Sequence, residues 1–414
     1  MTVTEHMPVW TTMAPSTWPA APVEMTVTTL LDIEACPRAW ALSAAHYPAL
    51  WAGHGYPPPI QLGSLAGTVI HLAIAAITRG LIRAGCRSVE DPAAIQVMKE
   101  LGGFTGLLLD CIERVRMRLA ESPRAEDRLE FVVRTLCARV PDLRARMQTM
   151  LRRVRLPQSA SPQADGHVSK GRGPLVSGAF SEIELHAREI GWKGKADLLT
   201  ISPEACEITD FKSGESDDGH QFQIQAYALL WSRDVQLNPH RRRADRLVLA
   251  YGTSDVEIPA PTAAGLDALE REIVARCNAA REAISRHPPE AQPAPSHCRY
   301  CGVRHLCDEY WTAGVQSQMA EDSQDRHLTD LEVTITGSHG PSSWDGVAGR
   351  SPTAQSGQSI LLRADKLPFA LHPGRKVRLL AIRLGRSDDQ FPETEPSVTV
   401  ATVGTATEAF IVSE

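Results

Sequence analysis

The stretch Ile190–Gly214, IGWKGKADLLTISPEACEITDFKSG, constrains the fold more than any other part of the chain. Two short runs, Ile190–Ile201 and Cys206–Phe211, mix apolar and polar residues on either side of a Ser-Pro-Glu-Ala turn. That pattern predicts two strands joined as a hairpin. Asp197 falls near the end of the first strand, and Asp210 and Lys212 fall one residue apart on the second. Period-two geometry sends Asp210 and Lys212 to one face and Phe211 to the other. A hairpin lets Asp197 lie beside Asp210. Two carboxylates in one place repel unless a cation sits between them. Mg²⁺ accepts one or two carboxylates, keeps waters and meets phosphate oxygens. A lysine beside it can orient water and steady charge on a phosphorane, which phosphodiester hydrolysis needs. D-x-K is common, so a surface hairpin with an ordinary Asp–Lys pair is the competing reading.

The surroundings make the hairpin part of a larger α/β unit. A third strand precedes it at Ser177–Arg188. A helix at His220–Arg233, a strand at Arg246–Tyr251 and a long helix at Thr262–Arg286 follow. Upstream, residues 62–84 are apolar with helical spacing, and residues 94–155 form a helical insertion broken near Gly102, Pro123 and Pro141. A helix starts near Thr28, with a break expected at Pro37. Residues 1–24 are Thr/Pro/Ala-rich and expected to be disordered, and residues 156–174 read as a linker. From 327 the texture is β-like, with five runs: LEVTITG, SILLRADKL, KVRLLAIRLG, SVTVATVG and EAFIVSE. The Gly/Ser-rich gap at 337–358 is expected to be mobile. Five strands suit a small OB-type barrel or a sandwich fragment. The 414 residues thus divide into a disordered start (1–24), an α/β domain (25–312) and a β-rich domain (327–414).

Four sequence elements, in order, resemble PD-(D/E)XK nucleases of the RecB/AddB type. They are Gly67-x-x-x-His71, Gly194–Asp197, Asp210-Phe211-Lys212-Ser213-Gly214, and Gln223-x-x-x-Tyr227. Together they cover most of residues 28–311. The resemblance implies a restriction-endonuclease-like mixed sheet with flanking helices. It also implies Asp197, Asp210, His71 and the Phe211 carbonyl as ligands of Mg²⁺ or Mn²⁺, and Lys212 assisting the attacking water. Read alone, His71 among Ile70, Leu72 and Ile74 is an ordinary core histidine. Gln223 and Tyr227 share one helical face. The resemblance sets them beside the site, holding the lysine or the DNA backbone; otherwise they are the polar edge of a helix packed on the sheet. Glu184, on the preceding strand, is a candidate supporting acid.

Residues 298–307 read C-R-Y-C-G-V-R-H-L-C. Three thiols so close suggest a soft-metal site. Cys36, His297 and His305 are candidates for a fourth ligand. In a subset of the resembling family, including AddB and the CRISPR-associated adaptation nucleases, one cysteine before the core and C-x₂-C-x₅-C after it hold a [4Fe–4S] cluster. By that resemblance Cys36, Cys298, Cys301 and Cys307 are its ligands, and the cluster clasps the two ends of the domain. Structural Zn²⁺ with His297 or His305, and free thiols, are the other readings.

A formal charge of −6 and a pI near 6.2 argue against coating nucleic acid by bulk charge, but allow a local basic groove. Residues 111–155 hold 12 Arg against 6 acids. This is either a solvated helical face or a phosphate-tracking surface. No run of 18 apolar residues occurs, so no membrane span is expected, and the start does not read as a signal peptide. A cytoplasmic location follows as the expectation. There is no G-x-x-x-x-G-K-[ST], so no ATP hydrolysis is expected. The resemblance implies a metal-dependent deoxyribonuclease, an exonuclease on single-stranded or frayed DNA, in repair, recombination or mobile-element defence, with a separate helicase or defence protein as partner. The rival is a catalytically silent DNA-binding scaffold that keeps the fold and cluster.

Overall fold

The computed structural model describes residues 8–51, 55–157, 172–215, 217–312, 328–350, 356–386 and 399–413. The first half carries β1 (Thr11–Thr12), α1 (Val27–Ala35), α2 (Pro37–Ala44), α3 (Leu62–Arg83), α4 (Ala94–Glu100), α5 (Gly103–Ala120), α6 (Leu129–Ala138) and α7 (Val140–Leu151). The α/β core follows with β2 (Gly178–Ala187), β3 (Trp192–Ile201), β4 (Cys206–Lys212), α8 (Asp218–Arg233), β5 (Arg246–Tyr251), β6 (Asp255–Ile258) and α9 (Ala263–Ser285). Then come α10 (Pro295–Cys298), α11 (Asp308–Thr312), β7 (Leu328–Gly340), β8 (Ser343–Ala348), β9 (Ser359–Arg363), β10 (Lys376–Arg386), β11 (Thr399–Thr402) and β12 (Glu408–Val412). The chain forms two compact units, one from residues 22–30 and 60–279, the other from the described parts of 1–21, 31–59 and 280–414. These are not the boundaries expected from sequence. Residues 31–59 and 280–312 belong to the β-rich unit.

The first unit is a five-stranded sheet in the order β2-β3-β4-β5-β6. All pairs are antiparallel except β4–β5, which α8 joins as a crossover. A parallel pair needs such a connection, because its second strand must start at the same end as its first. The helix begins where Asp217 caps it, accepting a 2.6 Å hydrogen bond from the Gly219 N–H. It packs on β2, β3, β4 and β5 through a run that includes Ile224, Tyr227, Leu230 and Trp231, all buried. The other face of the sheet carries α3 and the helices packed on it. Buried α3 positions 66, 69, 70, 73, 74, 77 and 81 recur every three or four residues, one stripe of a helix facing a core. By length and composition α3 could cross a membrane, but 61% of its most apolar window is buried here, as in a core helix.

In the second unit, β7, β8, β9, β11 and β10 close into a ring, with β9–β11 parallel and β10 returning to β7. Five strands in a closed ring match the barrel expectation, but two of its assignments change. The expected mobile gap at 337–358 contains β8, whose Ala348 is buried and which pairs with β7 and β9. Residues 351–355 of that gap lie outside the described residues. The run EAFIVSE supplies β12, which adds beside β10 rather than closing the ring. Nor are residues 8–24 disordered. Val9 and Trp10 are buried, and Thr11 pairs in parallel with Ile411. No local period marked them, because one short edge pairing and two anchors carry no repeat. Most of the expected 156–174 linker, and residues 1–7, lie outside the described residues.

One close approach sets the position of α8. A Cβ at Gly194 would fall 2.8 Å from Tyr227 Cε1 and 2.9 Å from Leu230 Cδ1. Gly194→Ala should therefore cost about 1–3 kcal/mol, as overpacking does. Gly214→Ala, with nothing within 4 Å of the added carbon, is the control and should melt like the parent. Equal melting temperatures for both variants in a thermal scan would contradict this packing.

Candidate active site

The ladder between β3 and β4 runs from Ile201–Cys206 to Leu198–Thr209 and stops there. The next two residues are Asp197 and Asp210. Where the strands part, the Asp197 side chain replaces a strand partner, its Oδ2 accepting a 2.7 Å hydrogen bond from the Phe211 N–H. The same Oδ2 lies 3.5 Å from His71 Nδ1. His71 reaches it because α3 comes close to the end of β4: a Cβ at Gly67 would meet Ser213 Oγ at 2.5 Å. The pattern G-x-x-x-H thus puts the small residue at the contact and the imidazole one turn on, over Asp197.

Asp210 points to the α8 side of the sheet and is 3% exposed. Its Oδ2 is 2.6 Å from Lys212 Nζ. At that distance the lysine ammonium is the ionic partner of this buried oxygen. Lys212 Nζ also donates to Gln223 Oε1 at 2.6 Å, and Gln223 Nε2 donates to Tyr227 OH at 2.6 Å. Gln223 and Tyr227 therefore form one chain of hydrogen bonds ending on the lysine. Phe211 faces the other way. It helps line a cavity of ≈ 490 Å³ whose charged groups are already paired, Arg153 with Asp255 and Arg246 with Glu207 and Glu257. Neither Asp197 nor Asp210 lines that cavity.

The electrostatics follow from burial and crowding. Burial, and then the Asp197 charge, push the Asp210 carboxyl up to about 6, although Lys212 and His71 pull it down. Burial lowers His71, but its hydrogen bond to Asp197 and the charges of Asp197, Asp210 and Glu182 outweigh this and leave it raised. Burial, then the Asp210 charge, hold the Tyr227 phenol well above its ordinary range. Two crowded acids, one of them buried against a lysine, suit positive charge such as a divalent cation. Among the described residues, however, no three His, Cys, Asp or Glu side chains already converge as a metal site. Glu184, the supporting acid expected from sequence, is exposed. The acid across from Asp197 is Glu182, since Ser181 pairs with Leu198 and Ile183 with Ala196. Counting back through the turn at Arg188–Gly191 would have found it, had the register been known.

The cysteines gather in the β-rich unit. Cys36, Cys298, Cys301 and Cys307 line one narrow cavity together with His297. Burial raises the thiols of Cys298, Cys301 and Cys307, Cys301 to about 11 and Cys307 to about 12, and the proximity of Cys36 adds to each. Charged together they would repel, as the two aspartates do. Arg38 holds the segment around Cys36 in place, with Nε donating to the Pro289 carbonyl at 2.5 Å and Nη1 to Glu309 at 3.1 Å. His305 points elsewhere: it is fully buried, stacks on Phe410 at 3.7 Å and meets Tyr56 OH at 2.7 Å. Several arginines of 111–155 are also engaged locally, Arg116 with Glu113 and Arg146 with Asp142.

A sequence profile of the PD-(D/E)XK nuclease superfamily matches residues 24–308. No curated protein matches. Among solved structures, the crystal structure of SSO0001 is similar at 21% identity and a TM-score of 0.21, over 31% of this chain and 60% of that one.

The raised Asp210 carboxyl makes stability depend on pH. Its folded value, about 6, lies above the ordinary 3.8. Its contribution is therefore fully present below about pH 4 and is lost as pH rises through 6. Without divalent cations, Asp210→Asn should be more stable than the parent at pH 8, on the order of 2–3 kcal/mol. The difference should vanish near pH 4. Denaturant titrations at the two pH values check this, and an Asn variant weaker than the parent at pH 8 would refute it.

Proposed function

The chain belongs to the PD-(D/E)XK nuclease superfamily, and from that premise we propose that it is a Mg²⁺- or Mn²⁺-dependent deoxyribonuclease of the RecB/AddB type, working as an exonuclease on single-stranded or frayed DNA ends. The observation that carries the reading is the pairing of Asp197 with Asp210 where two strands part, with Lys212 against the second acid. A scaffold would gain nothing from crowding two acids and a lysine in one buried place. Asp197, Asp210, His71 and the Phe211 carbonyl would hold the cation. Bound there, a divalent cation supplies Lewis-acid polarisation of the phosphate and a more acidic water. Lys212, steadied by Gln223 and Tyr227, orients that water and offsets charge on the phosphate oxygens. DNA repair, recombination or mobile-element defence, with a separate helicase supplying the strand, suits such an activity.

The same reading assigns a [4Fe–4S] cluster to Cys36, Cys298, Cys301 and Cys307. Their common cavity supports it. Cysteine thiolates hold such clusters. Zn²⁺ with His297 is the competing occupant, because His297 lines the same cavity. His305 loses ground as a ligand, since its imidazole is packed between Tyr56 and Phe410.

Asp210→Asn and Lys212→Ala should each lower Mn²⁺-dependent cleavage of labelled single strands at least ~100-fold, with the fold retained. An Asp210→Asn protein that cuts at the parent rate removes the proposed active site. Cys36→Ala should lose iron and become protease-sensitive, since the crosslink between residues 36 and 298 closes a long loop, worth roughly 4–5 kcal/mol by the chain-entropy estimate. Cys277→Ala should do neither. Metal analysis finding one zinc and no iron would replace the cluster by the zinc alternative.

A further inference from the structure

Glu182 stands in the middle of β2 with a left-handed backbone, φ 57°. For a residue with a Cβ this conformation costs roughly 1–2 kcal/mol, and glycine would remove the cost. The residue is nevertheless a glutamate, at the register position opposite Asp197, between the pairs Ser181–Leu198 and Ile183–Ala196. Its carboxylate is in ion-pair contact with Lys195, whose side chain is 52% exposed. With the lysine side of the pair in solvent, it is worth on the order of 1 kcal/mol at most, no more than the strain it accompanies. The charge of Glu182 also acts on His71 and on Tyr227, groups on two different helices that face the Asp197–Asp210 pair. Glu182, Asp197 and Asp210 thus take successive register positions on β2, β3 and β4, and the buried Asp210 Oδ2 is met by the Lys212 ammonium at 2.6 Å.

We propose that Glu182 is the third acidic group of the divalent-cation site, and that Lys195 is the counter-ion it holds when no cation is bound. Cation uptake exchanges Lys195 for the metal and frees the lysine ammonium for the phosphate backbone of a nucleic acid. The proposal rests on the cation-site reading of Asp197, Asp210 and His71. It predicts opposite effects from the two partners. Removing the acid weakens cation binding, and removing the lysine, a competitor for the same carboxylate, tightens it.

The test is calorimetric titration of the protein with Mn²⁺ alone, without DNA, at pH 7.5. Glu182→Gln should weaken binding about tenfold, or about 1.4 kcal/mol. Lys195→Met should tighten it a few-fold. Glu182→Gly should bind as weakly as the Gln variant yet melt no lower than the parent, because glycine relieves the left-handed backbone; this separates the lost charge from lost folding. If the parent binds Mn²⁺, Asp210→Asn loses it and Glu182→Gln binds like the parent, Glu182 is only a strained surface acid. Weaker binding by Lys195→Met would equally overturn the exchange. If Asp210→Asn binds like the parent, the fault lies in the cation-site reading itself.

Discussion

The α/β unit is organised around an unfavourable contact. Asp197 and Asp210 meet where the β3–β4 ladder ends, one of them almost fully buried. Like charges so placed raise each other's energy, and the Asp210 carboxyl is raised first by its burial and then by the Asp197 charge. The surrounding elements act to hold this contact in place. The Phe211 N–H, freed by the parting strands, takes one Asp197 oxygen. His71 comes down from α3 onto the same oxygen, and Lys212 approaches Asp210 from its own strand. A buried ion pair of this sort adds little stability, because desolvation cancels most of its Coulomb gain. What it supplies is a fixed place for positive charge.

The helix α8 turns that local arrangement into an oriented one. As a crossover between parallel strands it must lie across the sheet, and Gly194 lets it lie close. Gln223 and Tyr227 then stand over β4, and the lysine is held by a neutral chain rather than by a second acid. An ammonium pinned in this way keeps one direction. The requirement is geometric, so it falls on an element whose position the topology already dictates.

The β-rich unit shows the same principle with different groups. Its barrel carries two buried ion pairs, Arg304 with Asp330 and Arg378 with Glu332. Tyr310 adds a 2.7 Å hydrogen bond to Asp330, and Arg378 also reaches Asp308. These bonds tie the segment that bears Cys298, Cys301 and Cys307 to strands β7 and β10. The Arg304 guanidinium holds the Asp330 carboxyl low against its burial. A cysteine-rich segment with little regular structure is thus fixed by paired charges rather than by its own backbone ladder.

Much of this was legible in the residues alone. The three strands β2, β3 and β4, the helix α8 and the strand β5 all follow from local period, and period two by itself put Asp210 and Lys212 on one face. The spacing of Cys298, Cys301 and Cys307 marked them as a group, and the resemblance added Cys36. Other features were beyond a local reading because they depend on what pairs with what. Glu182 rather than Glu184 lies across from Asp197 only through the register that the Arg188–Gly191 turn imposes, with Gly191 at φ 61°. The strand β8 reads as a loop in sequence, since its glycine and serine carry no clear alternation until β7 and β9 flank it. Val9, Trp10 and residues 31–59 joined the β-rich unit through partners hundreds of positions away. Amino-acid order determined which face each side chain takes, because that is set within a few residues. Register, ring closure and unit membership were decided by tertiary structure, because they are properties of contacts between segments the sequence keeps apart.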